Sequence, residues 1–180
     1  MVAFFAMIFV SCENPITVVK ELSQEDTLAA ITAMDIVYLR SDSGNIQMKL
    51  TAKRMNQFDG DNPVIEFPEG FIAYFFDSLN VISSTIKADY GINYEKTKLM
   101  LAQNNVEVVN FETQETLVTE TLYWDQNNKT IFTRAAVTIT SPDRIIQGDS
   151  LTASEGFEQR VIHNIRAVIE FDEEVDESGS

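Results

Sequence analysis

From Ile31 to Phe171 the chain alternates apolar and polar residues in short runs broken by turn residues. Successive side chains of a strand point to opposite faces. A period of two therefore commits such a chain to sheets with one apolar face and one wet face. Ile46-Gln47-Met48-Lys49-Leu50-Thr51-Ala52-Lys53 alternates throughout, and Ser41-Asp42-Ser43-Gly44-Asn45 precedes it as a turn. Gly and Asn serve there because they tolerate positive φ. Asp59-Gly60-Asp61-Asn62-Pro63 is a second turn, leading into Val64-Ile65-Glu66-Phe67. Further strands are predicted over residues 71–76, 81–88, 99–102, 106–111, 116–124, 130–133, 136–140 and 144–148, with 161–171 closing the series. The prolines at 15, 63, 68 and 142 all fall at junctions. No long helical periodicity competes, so the fold class is all-β.

With 180 residues the chain suits one domain with a real core. Its 28 acidic residues against 13 Lys and Arg give a net charge of −15. Such a chain repels phosphate backbones, which argues against nucleic acid as a partner. An anionic ligand must instead be held by apolar burial.

Cys12 is the single cysteine, so no intrachain disulfide exists. It follows an unbroken apolar run, residues 2–10 (VAFFAMIFV). As a helix those nine residues span roughly 14 Å, against about 30 Å of bilayer core. The run has the length of a signal-peptide apolar region, and Phe9-Val10-Ser11-Cys12 resembles a bacterial lipobox. Cys12 is thus the expected lipid-attachment site, although the first basic residue is Lys20 and the usual positive start is missing. The expected division is a signal and anchor segment at 1–12, a tether at 13–30, a β domain at 31–171 and an acidic tail at 172–180. Residues 18–30 of the tether have the pattern of a short helix, and five of the last nine residues are acidic.

The strands also recur at a longer period. Asn105-Val106-Glu107-Val108 reappears as Ala136-Val137-Thr138-Ile139 and as Ala167-Val168-Ile169, with the valines 31 apart (137 − 106 and 168 − 137). Ile86-Lys87-Ala88-Asp89 and Leu117-Val118-Thr119-Glu120 share that offset (117 − 86). Turns such as Glu95-Lys96-Thr97-Lys98 and Asp125-Gln126-Asn127-Asn128-Lys129 join the strands of each unit. A unit this small cannot bury its own apolar face, so neighbours must stack. The expectation is an elongated, twisted antiparallel β-sandwich, or open β-jelly roll, built of repeated hairpins.

The stretch "ADYGINY" followed by "NNVEVVNFETQETLVTETLYWD", then "TIFTRAAVTIT" and "RIIQGDSLTA", resembles the LptC family and the related OstA-like repeat. The likeness runs from about Ile36 to Phe171. It implies a non-enzymatic component of lipopolysaccharide export at the periplasmic face of the inner membrane. It also implies partners: lipopolysaccharide, the LptF/LptG-like membrane subunits of an ABC transporter, and an LptA-like bridge protein. Members of that family often carry an N-terminal transmembrane helix, whereas this chain has a short run and Cys12.

No constellation for catalysis or cofactor binding stands out. The single histidine, His163, sits on an alternating strand and is expected to be partly buried in the sheet. One Cys and one His do not furnish a zinc site, and Asp59-Gly60-Asp61-Asn62 lacks the later ligands of a calcium loop. Val118, Leu122 and Trp124 are expected to share one face. Inward residues expected to line an acyl-chain groove are Met48, Leu50, Ile65, Phe67, Ile86, Leu101, Val108, Leu122, Trp124, Val137 and Ile139. Residues 161–171, with Val161, Ile165 and Ile169, are expected to form a partner-binding edge strand. The competing functions are a lipoprotein or lipid carrier chaperone, an envelope assembly module with no lipid ligand, and a β-repeat carbohydrate lyase. The last would need a cluster of charged residues on one face, and none is visible. Metabolic palmitate labelling tests the anchor: it should be present in the wild-type chain and lost in Cys12→Ser. Equal labelling of both would contradict lipidation at Cys12.

Overall fold

The computed structural model describes residues 28–157 and 159–171; Cys12, tail 172–180 and all but three residues of the expected tether lie outside them. Fourteen strands make up the described chain, all pairing antiparallel, and no helix occurs among the described residues. They are β1 (Ile31–Asp42), β2 (Asn45–Phe58), β3 (Val64–Phe67), β4 (Phe71–Phe76), β5 (Ile82–Ala88), β6 (Tyr90–Tyr94) and β7 (Leu99–Asn110). They continue as β8 (Glu115–Asp125), β9 (Thr130–Thr133), β10 (Val137–Thr140), β11 (Arg144–Gly148), β12 (Ser150–Ser154), β13 (Arg160–His163) and β14 (Ala167–Glu170).

Three long strands carry the chain between two layers. The first half of β7 pairs with β6 and its second half with β5. Likewise β8 pairs with β10 early and with β9 late. The end of β2 pairs with β3 and its middle with β4, while β1 runs along its other side. One layer therefore holds β3, β6, β9, β12 and β13, and the other β4, β5, β10, β11 and β14. This is the β-sandwich, or open jelly roll, that the alternation implies.

The bend in β7 has a local cause. Asn104 and Asn105 both take positive φ (62° and 51°), a conformation Asn tolerates, and the register slips between Gln103 and Val106. In β8 the alternation flips at the crossing: Leu117 and Thr119 are buried before it, Leu122 and Trp124 after it. Gly70 (φ 80°), between β3 and β4, turns where a Cβ would lie 2.5 Å from the Ala88 carbonyl oxygen, so only glycine fits there.

Cross-strand pairing builds the core in rows. In the second layer one inward row runs Tyr38, Leu50, Ala73, Ile86, Val108, Leu117, Ile139, Ile146, Val168. It is apolar from the first strand to the last. The facing row of the first layer runs Ile65, Asn93, Met100, Trp124, Ile131, Ala153, Arg160. The period of 31 residues now has a meaning. Ile86 and Leu117 both pair with Val108, and Val106 and Val137 both pair with Thr119. The repeat thus advances two strands along one row. Val168 departs from it, pairing with Ile146 one row away at a half-exposed edge.

Several expectations need correcting. Residues 161–171 are not one strand: β13 and β14 lie in different layers, and Asn164 (φ 51°) makes the break between them. The two strands expected over 99–102 and 106–111 are one bulged strand, Leu99–Asn110. β1, β6 and β12 were not among the predicted strands: Asp35 (φ 49°) interrupts the alternation of β1, β6 is only five residues long, and β12 is made largely of small polar residues. Val118 is exposed, opposite Leu122 and Trp124, since the crossing flips the alternation between them. Leu101 also points outward: in Leu99-Met100-Leu101-Ala102 every residue is apolar, so alternation is silent, and the buried pair is Met100 and Ala102.

Leu151 is fully buried, so Leu151→Ala should cost about 2–5 kcal/mol of stability. Leu101→Ala should cost about 1 kcal/mol or less. Denaturant unfolding of both variants checks the layering, and equal losses would contradict it.

Candidate functional site

The two layers do not fill the space between them evenly. Between the start of the second layer and the facing strands of the first lies a cleft of about 250 Å³. Its apolar wall comes from Ile36 and Tyr38 on β1, Met48, Leu50 and Met55 on β2, Ile65 and Phe67 on β3, Met100 on β7 and Trp124 on β8. Its polar lining is Arg40, Asn93, Glu95, Lys98 and Gln126. Local sequence explains the wall. Alternation on β2 turns Met48 and Leu50 inward, and the same rule on β1 brings Ile36, Tyr38 and Arg40 to that face. Thioether side chains adapt to an irregular space better than branched ones, and three of the wall residues are methionines.

An aromatic pair closes the inner end. Phe75 of the second layer meets Trp124 of the first edge-to-face, with centroids 5.6 Å apart. Arg40 reaches over the Trp124 ring, 5.3 Å from its centroid, and bonds Glu155 at 3.0 Å. The Trp124 indole Nε1 is buried and has no hydrogen-bond partner among the described residues. Beyond this wall the interior is nearly full. A void of about 10 Å³ lies among Phe71, Ala73, Ile86, Met100, Ala102, Leu122 and Trp124. Another, of about 20 Å³, lies among Val108, Asn110, Glu115, Leu117, Ile139, Phe157 and Arg160.

Met48, Leu50, Ile65, Phe67 and Trp124 therefore come together around the cleft. Ile86, Val108, Leu122, Val137 and Ile139 are buried in the filled part of the core. Leu101 stands on the outer face, in a row with Ile92, Tyr123 and Phe132. Tyr123 and Phe132 stack there at 5.1 Å. Sequence reading missed Ile36, Tyr38, Met55 and Met100 as cleft residues. For Met100 the signal was the parity of Met100 and Ala102 against Val106 and Val108, readable only once β7 is known to be continuous.

Both ends of the strand order present apolar side chains. Met34, Val37, Tyr38 and Leu39 are exposed on β1, which among the described residues pairs only with β2. At the other end Val161 is exposed on β13, Val168 and Ile169 on β14, and Ile165 in the connection between them.

His163 is exposed rather than partly buried, because the alternation of β13 turns Arg160 and Ile162 inward instead. Among the described residues no cluster of His, Cys, Asp and Glu is arranged for a metal, and no helix is long and apolar enough to cross a membrane. The strongest pKa perturbations have structural causes away from the cleft. Burial, then a 2.9 Å hydrogen bond to Glu66, pushes Tyr90 up to about 12. The Arg144 guanidinium holds Asp143 down at about 2.

A family model described as lipopolysaccharide-assembly, LptC-related, matches residues 1–170 of the chain. No curated protein gives a significant match.

Proposed function

The chain belongs to the LptC-related family of lipopolysaccharide-assembly proteins, and we propose that it is the tethered periplasmic acceptor in that transport. In this reading it takes lipopolysaccharide from an inner-membrane ABC transporter and passes it to an LptA-like bridge protein. It works without catalysis, as a passive surface for acyl chains. Cys12 holds it by lipidation to the periplasmic face of the inner membrane.

The cleft carries the proposal. Moving acyl chains through water is costly, because each CH₂ leaving an apolar site loses about 0.8 kcal/mol. A wall of Met48, Leu50, Ile65, Phe67, Met100 and Trp124 offers such a site, with charged Arg40 and Lys98 beside it for a polar headgroup. At about 250 Å³ the cleft is just below the roughly 300–1,000 Å³ of sites that enclose drug-sized ligands. It accommodates part of an acyl chain rather than a whole multi-chain lipid. The remainder must lie along the edges or in a neighbouring protein.

The edges supply the continuity. A row that is apolar from Tyr38 on β1 to Val168 on β14 surfaces at both ends of one layer. An unpaired edge strand is a template for another strand, so a like fold joined there would extend the row across the junction. β1 serves the transporter side in this reading. β14 and β13 together, with Ile169 and Val161, serve the receiving side.

A photo-crosslinking phenylalanine analogue at Tyr38, which lines the cleft and is half exposed, tests the ligand. It should capture lipopolysaccharide, and the same analogue at Tyr123 on the outer face should not. Capture at Tyr123 alone, or at neither position, would overturn the proposal and favour an assembly module with no lipid ligand.

A further inference from the structure

We propose that the far half of the interior is a second acyl-binding stretch, closed by Phe157 as a removable stopper and latched by two ion pairs between the layers. This rests on the reading of the cleft as an acyl site.

Phe157 belongs to the connection between β12 and β13, yet only 4% of it is exposed. Its ring stands with Val108, Leu117 and Ile139 of the opposite layer around the void of about 20 Å³. Its φ of 60° lies in a region that bulky residues avoid, so burial of the ring holds a strained backbone. Strain of that kind favours release when the ring is displaced.

The two ion pairs flank Phe157, one from Glu155 at the start of the connection and one from Arg160, the first residue of β13. Glu155 reaches Arg40 of β1, at 3.0 Å, and Arg160 grips Glu115, at the start of β8, with two hydrogen bonds. Each pair runs from one layer to the other. These charges are only partly exposed, which holds their geometry while leaving each pair weak enough to release.

The row behind the stopper stays apolar. Leu117, Ile139, Ile146 and Val168 follow one another to the half-exposed edge at β14. Removing Phe157 therefore opens the interior toward that edge. Arg40 couples the two halves, because it lines the cleft as well as holding Glu155. An anionic headgroup beside Arg40 competes with Glu155, so a ligand in the first half loosens the latch on the second.

Thiol labelling tests this in the full-length protein. Val108→Cys places a thiol of similar size beneath the stopper, and N-ethylmaleimide modification of its peptide is followed by mass spectrometry. Labelling should be slow with the latch intact and at least tenfold faster when Arg160→Glu is added. The exchanged pair, Glu115→Arg with Arg160→Glu, should restore the slow rate. Saturating lipopolysaccharide should suppress the fast labelling in the Arg160→Glu protein, as an acyl chain fills the exposed stretch. A rate unmoved by Arg160→Glu, or a fast rate that lipopolysaccharide leaves unchanged, overturns the proposal. So does parallel labelling of Ala73→Cys, buried away from the stopper, because the opening would then be global. Failure of capture at Tyr38 would sink the cleft reading instead, so the two failures are distinguishable.

Discussion

Everything in this molecule depends on two apolar faces meeting across a gap that their side chains fill only partway. Close packing is the normal state of a protein interior, and an unfilled apolar space forfeits contacts that folding would otherwise gain. Here the core from Ile86 through Leu151 obeys that norm, with voids of only about 10 and 20 Å³. The stretch between β1, β2 and the facing strands does not obey it, leaving about 250 Å³ open. The filled part supplies stability, and the open part supplies a surface for something else.

The bent strands make this division workable. Because β2, β7 and β8 each serve both layers, the layers are held together along one side by covalent chain and ladder hydrogen bonds. Away from those strands they are held by side chains, among them the Phe75–Trp124 contact, Phe157 against Val108, Leu117 and Ile139, and the Arg40–Glu155 and Arg160–Glu115 pairs. Partly exposed ion pairs contribute little to stability, on the order of 1 kcal/mol or less each. Opening there is thus far cheaper than separating the layers at their shared strands. A carrier of acyl chains needs that asymmetry, since its walls must part without unfolding.

Much of the fold was legible in the sequence, for a physical reason. One-sided burial writes a period of two into every strand that faces the core, and Met48-Lys49-Leu50-Thr51-Ala52 states it plainly. The pattern failed where the physics stops imposing it. Leu99-Met100-Leu101-Ala102 is apolar on both faces, because the outer face there carries its own row of Ile92, Tyr123 and Phe132. In β8 the crossing between layers reverses the alternation, so Val118 could not be related to Trp124 by counting. The break at Asn164 also escaped, since Val161, Ile165 and Ile169 are all apolar and exposed, which suits an edge strand and a connection equally well. The cleft itself was only half legible. Met48, Leu50, Ile65, Phe67 and Trp124 could be named as inward, but the sequence does not say which inward residues find partners and which are left facing a space. That depends on how the two rows come together, which is a property of the fold.

Trp124 is the sole tryptophan, and it stands at the inner wall of the open space. Its fluorescence during titration with lipopolysaccharide is the most direct measure of whether acyl chains enter between the layers. Acyl chains entering the space that this largely buried ring borders should give a saturable change in its emission. Binding shown by co-sedimentation with no change in Trp124 emission would place the lipid elsewhere on the molecule and contradict the account.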